Sequence, residues 1–99
     1  MSKHPLDVFN KIDPEFFKHV ANTREFALGE GAIPLKYKFL IAMALDSAEG
    51  TSDGVKTLAM AAMKAGATKE EIAETLRIAN YISGVGSTYT AAEALADIF

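Results

Sequence analysis

Between Leu35 and Glu49 the chain reads LKYKFLIAMALDSAE, and from Phe39 to Leu45 it is apolar on nearly every face of a helix. A helix of that kind has to be covered all round, by its own domain or by a partner chain. The rest of the sequence offers only further helices to do so. Val, Ile and Thr are spread thinly, apolar residues do not alternate with period two, and the breaks fall at Pro and Gly. The expected fold class is all-α, a single-domain bundle of about six helices over residues 1–99.

The punctuation places those helices. A short helix or turn is expected over Leu6 to Ile12, then Asp13 as an N-cap with Pro14 at the first helical position. The second helix runs to about Leu28 with a loose stripe of Phe16, Phe17, Val20, Phe26 and Ala27, and Gly29 stops it. GEGAIP connects to the third helix, opened by Pro34. The fourth starts near Ser52 or Asp53 and ends at Gly66, with Val55, Leu58, Ala59, Ala62 and Met63 inward at spacings of three and four. Thr68-Lys69-Glu70-Glu71 is a capping box for a fifth helix over Lys69 to Ser83, which should turn Ile72, Leu76, Ala79 and Tyr81 or Ile82 inward. Gly84 and Gly86 read as a hinge, and a last helix is expected from Ser87 to Ile98. Gly84-Val85-Gly86 is not a dinucleotide fingerprint, because no strand precedes it and a third glycine is missing.

Composition bounds the chemistry. A domain of 99 residues buries only about 60–70% of the surface its unfolded chain exposes, yet 49% of this one is apolar. That excess points to self-association. A net charge of −3 gives no electrostatic case for nucleic acid or an anionic membrane. There is no cysteine, which removes disulfides, thiolate metal sites and thiol catalysis together and leaves the cytoplasm as the default location. MSKHPLDVFNKID has no apolar h-region, so no signal peptide is expected, and the longest apolar run is too short for a membrane span.

The order of GAIPLKYKFLIAMALDSAEG, AAMKAGATKEEIAETLRIANYISGVG and AAEALADIF resembles the carboxymuconolactone decarboxylase family, whose fold is shared with alkylhydroperoxidase D-like proteins. The resemblance covers roughly Asp13 to Phe99. It implies an active-site helix beginning near Thr51, and a homo-oligomer, commonly a hexamer built as a trimer of dimers, or a trimer. Peroxidase-type members carry a Glu on the third helix, then C-x-x-C, then a His four residues on. Counted back from Ala65-Gly66, those positions are Phe39, Thr51, Gly54 and Leu58 here, and the decarboxylase branch keeps a His where Leu58 stands. None of the four has the required chemistry. A threonine hydroxyl stays protonated where a thiolate is needed, and leucine moves no proton.

A candidate pocket is offered by Asp46, Glu49, Thr51, Ser52 and Asp53 around the fourth helix start, and by His19 on the second helix. Hydroxyls and amide groups there can face a small ligand, but Thr, Ser and Asp are also the ordinary N-capping residues. The acidic cluster offers oxygen ligands to a hard cation, but such groups more often form a solvated helix end, so no metal and no cofactor is expected. His4 lies near the chain start, and His19 reads as a boundary residue. Lys36, Tyr37 and Lys38, with Arg77 and Tyr81, could pair with Glu49, Asp53 or Glu74, although solvated charges are commoner. Met43, Met60 and Met63 fit core filling better than an adaptable pocket.

Three functions stay open on the residues. The first is a family member without thiol peroxidase chemistry that assembles with itself, of unassigned activity. The second is a lyase or isomerase on a small carbonyl compound using a carboxylate base, Asp53 or Glu49. The third is a non-catalytic oligomer that binds a small molecule or serves as a scaffold.

Overall fold

A computed structural model of the chain describes residues 5–99, so His4 lies outside the described residues. The helices are α1 (Asp7–Ile12), α2 (Pro14–Leu28), α3 (Leu35–Glu49), α4 (Ser52–Lys64), α5 (Lys69–Ser83) and α6 (Val85–Leu95), and no strand occurs among the described residues. The expected all-α fold is observed.

Local chemistry sets most boundaries. The Phe16 N–H donates to Asp13 Oδ1 (3.1 Å), with Pro14 at the first position of α2. The capping box is complete: the Glu71 N–H donates to Thr68 Oγ1 (3.0 Å), and the Thr68 N–H donates to Glu71 Oε1 (2.9 Å). α3 and α4 both end in Schellman turns. The N–H groups of Gly50 and Thr51 return to the carbonyls of Ser47 and Asp46 (3.3 and 2.9 Å), and those of Gly66 and Ala67 to Met63 and Ala62 (3.0 and 2.9 Å). Gly50 and Gly66 have φ of +82° and +106°, a region glycine enters without a Cβ penalty. Gly84 alone separates α5 from α6. The last helix therefore begins at Val85 rather than Ser87, holds Gly86 inside it, and stops at Leu95.

The core lies among α3, α4, α5 and α6. Met43, Val55, Ala59 and Ala62 are fully buried, and Ile72, Ala91 and Ala94 nearly so. Alanines on α4 and α6 let the helices approach closely, and Leu58, Met63 and Leu76 close the edges. Met60, by contrast, is exposed and fills no core.

Within the chain, Phe39, Leu40, Met43 and Ser47 of α3 point inward, while Ile41 and Leu45 stay exposed, so full cover of this helix would need a partner chain. One expectation about facing is corrected: Tyr81 and Ile82 are outside, not inside. At about 100° per residue they sit roughly 90–180° away from the row Ile72, Leu76 and Ala79. The α2 stripe is covered by no core, since α2 has no buried residue and packs mainly on α1, where Phe9 and Phe16 meet edge to face with centroids 5.2 Å apart.

Candidate functional site at the α3–α4 junction

The turn between α3 and α4 follows from its sequence. Gly50 reverses the chain, Thr51 occupies the N-cap position, and the Val55 N–H closes the first turn on the Thr51 carbonyl (3.0 Å). The Thr51 side chain makes no capping hydrogen bond and is exposed, so simple N-capping does not account for it. Asp53 stands in the first turn of α4, where a carboxylate is favourable to the helix dipole.

Asp46 reaches this turn from α3. A Cβ built on Gly54 would lie 2.9 Å from the Asp46 Cγ and closer still to its Oδ2, and 3.3 Å from the Thr51 Cγ2. The space that a side chain at position 54 would need is thus filled by the Asp46 carboxylate. A side chain at 54 would have to displace this carboxylate, the end of a movable side chain; the backbone conformation itself makes no demand for glycine there. Asp46 is half-buried, whereas Glu49 and Asp53 are exposed. Next to Asp46, Ser47 is buried and its Oγ has no hydrogen-bond partner.

The other sequence-derived positions are dispersed. Phe39 is buried in the core, and Leu58 is half-buried against it, so both act as packing groups. Ser52 is half-buried at the start of α4. His19 lies exposed on α2, the helix paired with α1, and its carbonyl accepts the Thr23 hydroxyl (2.9 Å). Among the described residues, no three His, Asp or Glu side chains gather closely enough to hold a metal ion.

The basic residues of α3 have partners within the chain. Lys36 pairs with Glu71 (3.0 Å), tying α3 to α5, and its ammonium lies 4.8 Å from the Tyr37 ring centroid. The Lys38 ammonium donates to the Gly29 carbonyl, fastening the GEGAIP connector. Glu71 is held below the usual carboxylate range, first by the Thr68 N–H and then by Lys36, and Lys36 is raised chiefly by Glu71. Neither lysine meets Glu49, Asp53 or Glu74 in these pairs.

A hollow that the sequence reading did not single out lies between α5 and α6. It has a volume of about 510 Å³ and is lined by Leu76, Arg77, Asn80, Thr88, Ala91 and Leu95. The available signal was the run of small residues at Ala73, Ala91 and Ala92, which leave room between two helices joined by a single glycine.

The carboxymuconolactone decarboxylase family model matches residues 14–97, from the first residue of α2 to just beyond α6. The chain belongs to the carboxymuconolactone decarboxylase family. The crystal structure of the apo form of a carboxymuconolactone decarboxylase family protein from Legionella pneumophila is similar at 37% identity with a TM-score of 0.85. The match covers 92% of this chain and 81% of that one. No curated protein matches the chain. At the start of α4, position 54 has no side chain, and the Asp46 carboxylate from α3 stands in its room.

Proposed function

We propose that this chain is a single-domain, cytoplasmic member of the carboxymuconolactone decarboxylase family that has given up thiol peroxidase chemistry and works as a homo-oligomer, a hexamer or trimer. The observation that carries the loss of chemistry is the fate of the four positions around α4. Phe39 and Leu58 pack on the core, Thr51 is a lone hydroxyl, and Gly54 is covered by Asp46. A thiolate relay needs a nucleophile, a partner thiol and a proton carrier, and none of the four positions supplies one. Assembly is supported by the exposed apolar side chains of α2, α3 and α5.

Native mass spectrometry of the purified protein tests the assembly, and a hydroperoxide-consumption assay on the same sample tests the chemistry. The expected spectrum is a trimer or hexamer of the 10.6 kDa chain, with no hydroperoxide turnover above buffer. A monomer at tens of micromolar would overturn the assembly, and thiol-independent peroxide turnover would overturn the chemical claim. Mass beyond the subunits that disappears on denaturation would identify a bound small molecule.

A second reading is favoured by one observation, the half-buried Asp46 carboxylate over the bare backbone of Gly54. A lyase or isomerase acting on a small carbonyl compound needs a carboxylate sheltered from water, and Glu49 and Asp53 are too exposed for that role. On this reading Asp46 is the base. Asp46→Asn would abolish turnover of such a substrate while leaving the native mass unchanged.

A further inference from the structure

The hollow between α5 and α6 runs into a second one. Ala73 and Leu95 line both, and the second, of about 380 Å³, adds Ile72 and Phe99. The shared walls make one trough along α5, from Asn80 back to Lys69. The first hollow alone, at about 510 Å³, falls within the range of about 300–1,000 Å³ usual for small-molecule sites.

Its polar groups are gathered at one end. Arg77 and Asn80 stand three residues apart on α5, and Thr88 comes from α6. The Thr88 hydroxyl donates to Asn80 Oδ1 (2.8 Å). That bond occupies the amide oxygen and leaves the Asn80 N–H groups as unclaimed donors. Arg77 is unclaimed as well. It makes no hydrogen bond or ion pair with any described residue, and Glu74, one turn earlier on the same helix, does not pair with it.

The donors select the sign of a ligand. Among the described residues, Arg77 is the one charged group lining the first hollow, although the chain as a whole carries −3. No carboxylate lines this hollow, and from Ile78 to Ala92 the sequence has no Asp, Glu, Lys or Arg. A planar guanidinium beside a donating amide is best satisfied by a carboxylate. The remaining walls, Ala73, Leu76, Ala91, Leu95 and then Phe99, call for an apolar body. At the far end Lys69 and Glu70 are of opposite sign and offset each other. From Arg77 back to Lys69 the axis of α5 spans about 12 Å. An extended chain gains about 1.2 Å per bond, so about ten carbons fill that length.

We propose that the α5–α6 trough binds an amphipathic monocarboxylate of the medium-chain fatty acid type. Its carboxylate sits on Arg77 and Asn80, and its chain lies over Leu76 and Leu95 toward Phe99. Burial of the chain supplies most of the affinity, and Arg77 discriminates between head groups. The trough is separate from the α3–α4 junction, so the site depends neither on the assembly nor on the chemistry proposed above.

Decanoate is the probe, titrated by calorimetry into the full wild-type chain below its micelle concentration. Saturable binding below millimolar concentration is expected. Decyltrimethylammonium, with the same tail and the opposite charge, should bind at least about tenfold more weakly, and acetate should give no detectable binding. Two substitutions at exposed positions separate head from tail. Arg77→Gln should weaken decanoate about tenfold without weakening the decyl cation, whereas Ala92→Phe, which fills the hollow, should weaken both. Lys64→Gln removes a positive charge at the end of α4, away from the trough, and should change neither. Circular dichroism checks that each variant stays helical. The site is wrong if decanoate does not bind the folded wild type, as when a second copy or another protein closes the trough. It is equally wrong if the decyl cation binds as well as decanoate, or if Arg77→Gln or Ala92→Phe binds decanoate like the wild type. Each of those failures leaves the proposed function standing, since native mass and hydroperoxide consumption test that separately.

Discussion

α2 and α5 are both 15 residues long, both begin with a side-chain cap and both carry an acidic residue in the first turn. They nonetheless end up in opposite situations. α5 buries Ile72 and Ala79 in a core shared with α3 and α6, and it is tied to α3 by Lys36 and Glu71. α2 buries nothing, and Phe26 near its end is 91% exposed. The difference does not lie in the signals that start each helix. It lies in what each helix finds opposite: α5 meets α3 and the alanine-rich side of α6, and α2 meets chiefly the short α1. Helix formation is local, whereas burial needs a complementary neighbour.

The largest effect that would break this contrast is on the core. Ile72→Ala is expected to cost about 2–5 kcal/mol, as for other large-to-small core changes, while Phe26→Ala should stay within about 0.5 kcal/mol in dilute solution. Urea unfolding followed by circular dichroism checks both. A loss at Phe26 comparable to that at Ile72, growing with protein concentration, would mean that a second copy covers α2.

A middle-sized effect concerns the caps. Thr68→Ala is expected to cost about 1 kcal/mol, because α5 belongs to the cooperative core, and Asp13→Ala should cost less because α2 can fray alone. The capping box also has a pH signature. Since the Glu71 pKa is lowered by folding, its stabilising contribution is present above the ordinary glutamate range and is lost as pH falls through the lowered value. Glu71→Gln should therefore flatten the acid side of a melting-temperature profile below about pH 5. An unchanged profile would remove the carboxylate from the cap.

The smallest expected effect probes how closely α3 and α4 approach. In an Asp46→Ala background, Gly54→Ala should stabilise by about 0.5–1 kcal/mol, the usual gain for Ala over Gly inside a helix. With Asp46 present that gain should shrink or reverse, giving a coupling above about 0.5 kcal/mol in a double-mutant cycle. Equal effects in both backgrounds would show that the carboxylate does not occupy the space above Gly54.

Much of the architecture was legible before any coordinates. The Asp13-Pro14 start, the Thr68 to Glu71 box and the glycine stop at Gly66 act through bonds within five residues, so the local sequence contains all their partners. The inward row of α4 was legible for a similar reason, since Val55, Ala59 and Ala62 form a single unambiguous stripe. α5 was harder because it has two stripes, and nothing local says which is the core; hence the misplacement of Tyr81 and Ile82. At the candidate site, the absence of cysteine and the identities of Phe39, Thr51, Gly54 and Leu58 were visible at once. The role of Asp46 was not, because its neighbour Gly54 is eight positions away and on another helix.

The sequence by itself determined that this chain forms helices, where most of them start and stop, and that thiol chemistry is closed to it. Each of these depends on residue type and on neighbours a turn away. Only the tertiary structure decided which side of α3 and α5 faces the core, that α2 contributes no buried residue, and that a carboxylate fills the room above Gly54. Those outcomes depend on which surfaces meet across the bundle, and the free energy of burial belongs to the pair of surfaces rather than to either helix alone.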